Sequence, residues 1–283
     1  MQHFKGLGSW IGRYKRSAVC IARGDNAKRI WSAAAVTVTV NESVTVNLTQ
    51  LGQTAARTGA PKQSRMPRTW GDMRITEIYQ SIQGESSYAG VPCVFVRTTG
   101  CDLRCSWCDS EFTFTGGTSM TLDQILTDVE KYDCELVELT GGEPMLQPEI
   151  YELSTRLADA GHTVLIETGG HRDLSRLDSR VIRIMDLKCP ASGECEKNLW
   201  SNLEHLRAVD EVKFVIADRG DYEWTLKTIR EHELEDRVKV LISTAFGMIE
   251  ASEVVAWMLE DKLRARFQLQ LHKYIWPPDD RRR

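Results

Sequence analysis

Three cysteines, Cys101, Cys105 and Cys108, fall in the spacing C-x3-C-x2-C inside the stretch Arg97-Thr98-Thr99-Gly100-Cys101-Asp102-Leu103-Arg104-Cys105-Ser106-Trp107-Cys108-Asp109-Ser110. Thiolate sulfur is a soft ligand that suits iron and its sulfide-bridged cores. Three thiolates can hold three irons of a [4Fe-4S] cube and leave the fourth iron open. An open coordination position distinguishes a working metal centre from a structural one. The same three thiols could also serve a zinc ion that takes its fourth ligand from elsewhere.

A second motif, Thr140-Gly141-Gly142-Glu143-Pro144, follows the apolar run Cys134-Glu135-Leu136-Val137-Glu138-Leu139, which predicts a strand. The two glycines let a ligand approach the backbone closely. Glu143 adds a carboxylate, and Pro144 stiffens the exit. A loop with exposed N–H and C=O groups and one carboxylate could hold the ammonium and carboxylate of an amino acid. Alone, such a turn would be structural; behind the cysteine motif it points to a ligand site.

These residues need a scaffold, and from Met73 onward strand-like and helix-like segments alternate. Strands are expected at Val91–Thr98, up to Thr140, and at His162–Glu167, Val181–Leu187, Val212–Ala217 and Val238–Ser243, with a weaker last one at Phe267–Leu271. Thr121-x-x-Gln124 is a capping box, and Leu122, Ile125, Leu126, Val129 and Tyr132 then share one helical face. Pro148 suits the first turn of a second helix that Gly161 ends. Trp224–His232 reads as a helix, and Ser252 as the cap of another carrying Val254, Val255, Met258 and Leu259. Alternating β and α implies an α/β fold with a mostly parallel sheet. Ligands of such sheets lie at the carboxyl ends of the strands. Thr140, Glu167 and Lys188 all fall there.

Composition narrows the partners. Residues 1–72 carry eleven Lys/Arg against three Asp/Glu, a net +8, whereas the remainder carries 25 against 37, a net −12. A region that acidic lacks the basic face of a nucleic-acid binder and favours a small-molecule substrate. No apolar run approaches the ~20 residues that span a bilayer. The eight cysteines are too unevenly spread for a disulfide framework. A cluster would need them reduced, which suits the cytoplasm. Cys93 and Cys134 sit in strand-like runs and read as small buried hydrophobes. Two segments are expected: an N-terminal extension over 1–72 and a catalytic domain over 73–283. The extension is rich in Arg, Ala, Ser and Thr, like a transit peptide. It also contains a candidate hairpin, Val36–Val40 with Val44–Leu48, and a linker-like stretch at 57–72. It reads either as a poorly ordered extension or as an over-extended start, with Met73 opening the working protein.

The cysteine motif together with Gly-Gly-Glu-Pro resembles the radical S-adenosylmethionine (SAM) superfamily. Over about residues 73–278 the chain is similar to one branch of it, the 7-carboxy-7-deazaguanine synthase family. That likeness rests on Glu77-Ile78-Tyr79-Gln80-Ser81-Ile82-Gln83-Gly84-Glu85, Phe95 to Cys101, Cys108-Asp109-Ser110, Glu167-Thr168-Gly169-Gly170, Asp186-Leu187-Lys188-Cys189-Pro190 and Gln270-Leu271-His272-Lys273-Tyr274. It implies a partial (β/α) barrel of the radical SAM type. It implies a lyase that takes a hydrogen from C6 of 6-carboxy-5,6,7,8-tetrahydropterin, contracts the ring and releases ammonia, giving 7-carboxy-7-deazaguanine for queuosine-type tRNA modification.

The resemblance also implies roles for residues. Cys101, Cys105 and Cys108 would hold the [4Fe-4S] cluster. Its open iron would take SAM, and one electron would then release a 5′-deoxyadenosyl radical. Trp107, Cys108, Asp109, Gly142, Glu143, Asp186, Leu187, Lys188 and Ser243 would contact SAM; Trp107 could equally shield the cluster or pack in the core. Ser110 would ligate Mg2+, where the family more often has Thr. Ile82, Gln83, Gly84, Arg97 and Thr140 would face the substrate, with Arg97 able to grip a carboxylate through two parallel hydrogen bonds and Gln83 able to pair with a pterin edge. The implied partners are the pterin, an electron donor such as flavodoxin or ferredoxin, and a second copy in a homodimer, with no direct nucleic acid and no membrane. Two departures stand out: Glu167-Thr168-Gly169-Gly170 has Gly where Asn or another small polar residue is expected, and five residues follow Pro278, where some relatives use the chain end to close the site. A glycyl-radical-enzyme activase would share both motifs, and a zinc-binding regulatory protein would share the cysteines.

Overall fold

The computed structural model describes residues 71–278 and 280. The candidate hairpin, the rest of the extension before Gly71, Cys20 and most of the tail beyond Pro278 lie outside the described residues. Among these residues nine strands form one sheet in the order β3-β1-β2-β4-β5-β6-β7-β8-β9. The strands are β1 (Met73–Ile82), β2 (Pro92–Thr98), β3 (Thr118–Met120), β4 (Leu136–Gly141), β5 (Thr163–Thr168), β6 (Ile182–Asp186), β7 (Glu211–Ile216), β8 (Lys239–Thr244) and β9 (Arg266–Phe267). From β2 to β9 every neighbouring pair is parallel, while β1 pairs antiparallel with β2 and with β3. The two edges, β3 and β9, do not pair, so the sheet is an unclosed barrel.

Helices α1 (Leu122–Glu130), α2 (Ile150–Asp159), α3 (Arg219–Glu231), α4 (Leu234–Arg237) and α5 (Ala251–Glu260) cover the outer face, and α6 (His272–Ile275) ends the described chain. Period-two alternation splits each parallel strand between two environments. Outward residues such as Val96, Leu139, Ile166, Met185, Phe214 and Ile242 pack with Ile125, Leu153, Leu157, Tyr222 and Val254 of the helices. Truncating one of them, Leu139→Ala for example, would cost ~2–5 kcal/mol. On the inner face Tyr79, Cys93, Phe95, Leu136, Leu165 and Ile184 form a small apolar floor. One step of two residues further along the same strands come Arg97, Glu138, Glu167 and Asp186. The alternation thus builds a bowl, apolar below and charged towards the carboxyl ends.

The capping box at Thr121 forms in both directions: the Gln124 amide N–H donates to Thr121 Oγ1 (3.2 Å) and the Thr121 N–H to Gln124 Oε1 (2.9 Å). Several boundaries differ from expectation. Val91–Thr98 is not the first strand; Met73–Ile82 precedes it, with a register shift between Ile75 and Glu77. The third helix begins at Arg219, because the Asp218 side chain accepts from the Asp221 N–H five residues before the apolar pattern at Trp224 becomes visible. The fifth begins at Ala251, before Ser252, with Glu250 at the cap and no side-chain capping bond. Pro148 lies just outside α2, and the last strand stops at Phe267. No helix among the described residues is long and apolar enough to cross a membrane.

Candidate active site

The cysteine loop leaves β2 through Gly100, whose φ of +101° favours glycine. It is anchored to its surroundings by backbone bonds from Gly100 N–H to Thr113 O (2.8 Å), from Ser106 N–H to Ser192 O (3.1 Å) and from Glu143 N–H to Gly100 O (2.8 Å). Cys101, Cys105 and Cys108 are half-buried free thiols. Burial pushes all three thiols above their ordinary pKa, and the charge of Cys108 raises Cys101 and Cys105 further. Crowded thiols of this kind give up their protons when a metal centre supplies positive charge. Among the described residues no group of three or more His, Cys, Asp or Glu is gathered closely enough for a single metal ion. A zinc site needs four donors around one ion. A cube asks for less, since each thiolate takes a different iron, and the donor set fits it.

The Gly-Gly-Glu-Pro loop packs directly on this one. A Cβ at Gly142 would run into Gly100 O and come within 2.8 Å of Cys101 Cβ, so only glycine allows the two loops to touch. Glu143 is buried and fully engaged: Oε1 accepts from Met145 N–H (2.9 Å) and Thr168 Oγ1 (2.7 Å), and Oε2 from Gly169 N–H (2.8 Å). Its carboxylate ties the exit loops of β4 and β5 together. What the loop can offer a ligand therefore falls chiefly to its backbone groups.

On β6 and just beyond, Lys188 Nζ lies 2.9 Å from Asp186 Oδ2, and Asp186 Oδ1 is buried with no hydrogen-bond partner. Burial works against the Lys188 ammonium, but the charges of Asp186 and Cys105 outweigh it and hold its pKa up. Cys105 and Cys108 both feel the Lys188 charge, which puts the strand end and the cysteine loop in one electrostatic neighbourhood. Leu187 faces the outer core, so only its backbone can face the bowl. Ser243 is buried at the end of β8, and Trp107 is half-buried. Asp109 accepts from Lys273 Nζ (2.9 Å) and from Ser110 Oγ (3.0 Å). Burial would raise the Asp109 pKa, but Lys273 outweighs it and holds the carboxyl well below the usual range. The salt bridge docks α6 onto the cysteine loop.

The expected substrate residues gather along β1, β2 and β4. Ile82 ends β1. The buried Gln83 accepts from Glu85 N–H through Oε1 (2.6 Å) and donates through Nε2 to Glu138 Oε2. Gly84 O accepts from Leu271 N–H (2.8 Å), and a Cβ on Gly84 would strike the His272 ring. Arg97 donates to Glu77 Oε1 and to the Tyr79 hydroxyl, each at 3.0 Å, and stands in register with Thr140 on the next strand.

Several buried charged and polar groups inside the bowl escaped the sequence reading. Lys213, about 6% exposed at its side chain, lies 2.8 Å from Glu85, 3.8 Å from Asp186 and in direct contact with Glu167. Burial and the charges of Glu167 and Glu85 raise the Glu138 pKa well above the ordinary value, which favours its neutral form. Both amide atoms of the buried Gln268 lack partners. The available signal was a charge inside a largely apolar strand, Glu138 in Leu136–Gly141 and Lys213, with Glu211, in Glu211–Ile216, because charges are almost never buried unless paired.

An unclosed, mostly parallel (β/α) sheet with C-x3-C-x2-C leaving one strand and Gly-Gly-Glu-Pro leaving the next is the architecture of a radical SAM protein. Residues 95–190 match the Radical SAM superfamily. The fold is similar to that of QueE from Escherichia coli (TM-score 0.58, 20% identity, covering 70% of this chain and 94% of that one). The chain is 48% identical over 222 residues to 7-carboxy-7-deazaguanine synthase of Koribacter versatilis, covering 73% of this chain and 98% of that protein. It is 43% identical over 216 residues to the protein of the same name from Chlorobaculum tepidum, covering 75% and 98%. The chain belongs to the 7-carboxy-7-deazaguanine synthase family.

Proposed function

We propose that this chain is a radical SAM lyase that makes 7-carboxy-7-deazaguanine from 6-carboxy-5,6,7,8-tetrahydropterin with loss of ammonia. The observation that carries the reading is the 48% identity spanning nearly the whole of a protein of that activity. Cys101, Cys105 and Cys108 would hold a [4Fe-4S] cluster, and the Gly142 loop, Asp186 and Lys188 would hold SAM beside it. When bound, the pair supplies a carbon radical able to abstract hydrogen. The protein's own part is to bind, orient and exclude water. Arg97, set by Glu77 and Tyr79, meets the substrate carboxylate. Gln83, set by Glu138 and the Glu85 N–H, meets the pterin edge, and Thr140 stands level with Arg97 on the next strand. Lys213 offsets part of the charge of Glu85 and Glu167, and Lys188 that of Asp186, which lessens their repulsion of an anionic substrate.

Ser110, at the rim beside Asp109, is the candidate Mg2+ ligand, and one protein ligand with substrate oxygens and waters fits magnesium's habit. A small one-electron carrier such as flavodoxin or ferredoxin would reduce the cluster, a homodimer is the expected assembly, and the free thiols suit the cytoplasm. An anaerobic assay with SAM and the carboxypterin, with iron and sulfide counted and the product weighed by mass spectrometry, tests the reading. Arg97→Ala and Gln83→Ala should abolish pterin turnover and spare uncoupled SAM cleavage. A wild-type protein that cleaves SAM but leaves the pterin untouched would overturn the substrate assignment.

A further inference from the structure

His171 stands where three loops meet, and the sequence motifs make no use of it. Its Nε2 lies 2.7 Å from Asp102 Oδ1, in the cysteine loop between Cys101 and Leu103. Its Nδ1 lies 3.7 Å from Glu143 Oε2, in the Gly-Gly-Glu-Pro loop. The side chain is 6% exposed, and Nδ1 is buried without a hydrogen-bond partner. The residue belongs to the exit loop of β5, whose Thr168 hydroxyl and Gly169 N–H both donate to Glu143. Arg172, its neighbour, also contacts the Asp102 carboxylate.

The glycine at 169 makes this possible. A Cβ there would come within 2.9 Å of Leu103 Cδ1, 3.1 Å of His171 Nδ1 and 3.4 Å of Glu143 Oε2. The space a polar side chain at 169 would need is bounded by the imidazole and the two loops that the imidazole joins. Gly169 and His171 are thus matched, and the departure from a small polar residue in Glu167-Thr168-Gly169-Gly170 has a geometric counterpart two residues on.

We infer that His171 is a positioning residue: hydrogen-bonded to Asp102 and lying against Glu143 across the space left by Gly169, it holds the cysteine loop against the Gly-Gly-Glu-Pro loop and so sets the distance between the iron–sulfur centre and bound SAM. The inference rests on the cofactor placement proposed above, not on the identity of the pterin. Removing a partner that orients ligand-bearing groups typically costs about 10- to 100-fold in affinity.

The test uses the full chain, reconstituted anaerobically, as wild type, His171→Ala, His171→Gln and Asp102→Asn. Three quantities are read: iron and sulfide per chain, the dissociation constant of SAM by equilibrium dialysis, and the change that SAM makes in the electron paramagnetic resonance spectrum of the reduced cluster. His171→Ala should load iron, bind SAM at least tenfold more weakly and lose most of the spectral change. His171→Gln, which keeps a donor towards Asp102, should recover part of both. Asp102→Asn should weaken SAM binding as well, and combining it with His171→Ala should cost less than the two losses added. A His171→Ala protein that matches wild type in SAM affinity and spectrum overturns the inference. So does one whose thermal unfolding midpoint falls and whose SAM binding is not recovered by His171→Gln, because that pattern marks packing alone. A wild-type protein that takes up no cluster would instead overturn the cofactor placement itself.

Discussion

Replacing Lys213 with Met keeps the length of the side chain and removes its charge from among Glu85, Glu167 and Asp186. The ammonium is buried, and its pKa is raised well above the ordinary value: burial opposes the charge, and the Glu167 and Glu85 carboxylates more than compensate. Stripping one partner from a buried ion pair costs ~3–5 kcal/mol, because the remaining charges stay desolvated and uncompensated. For a domain of this size that is a fall of roughly 6–20 °C in Tm. The pH dependence gives the sign. In the wild type burial would raise the Glu85 pKa, but Lys213 outweighs it and holds it low. That stabilisation is present above the unfolded value of about 4.3 and is lost as pH falls through the lower folded value. In the variant the stranded carboxylates take up protons more readily folded than unfolded, so acid relieves the strain. The Lys213→Met penalty should therefore be largest at neutral pH and shrink towards about pH 5. Urea titrations of both proteins followed by far-UV circular dichroism at the two pH values give the comparison. A variant within ~0.5 kcal/mol of wild type at neutral pH, or a penalty that ignores pH, would refute the argument.

Gly142→Ala should keep the fold but lose most of its bound iron, counted after anaerobic reconstitution, because the added methyl meets the backbone carrying Cys101. Glu138→Gln should unfold within ~0.5 kcal/mol of wild type, since burial and the neighbouring carboxylates disfavour the charge it removes; a loss of several kcal/mol would show that the native group is charged. Thr121→Ala should cost ~1 kcal/mol through the lost cap, visible as a small drop in Tm, and leave SAM cleavage unchanged.

The parallel core was legible because β2 and β4 to β8 are buried on both faces and read as apolar runs, whereas the short edge strand β3 is exposed and gave no such run. The strand at Met73–Ile82 was not legible, because its Ile and Tyr residues fall at 75, 78, 79 and 82, broken by a register shift between Ile75 and Glu77, and show no clean period of two, so its residues registered as a motif and not as an element. Helix α3 was clipped because Arg219–Glu223 is polar apart from the buried Tyr222, and the Asp218 cap is what marks its start. Spacing in the chain marked Cys101, Cys105, Cys108 and Gly142. It could not show that Lys213 reaches Glu85 across 128 positions, or that His171 meets Asp102 across 69, since such pairings exist only once the strands are laid side by side.

The hydrogen bond between Leu271 and Gly84, with His272 pressed against that same glycine, gives the fold a temporal property. The residues that follow the first strand and the helical turn at His272–Ile275 fasten to each other although nearly the whole sheet lies between them in sequence, so this seam closes only after the strands between them have been made. Loss of either partner, the turn at Gly84 or the segment Leu271–His272, would open that seam.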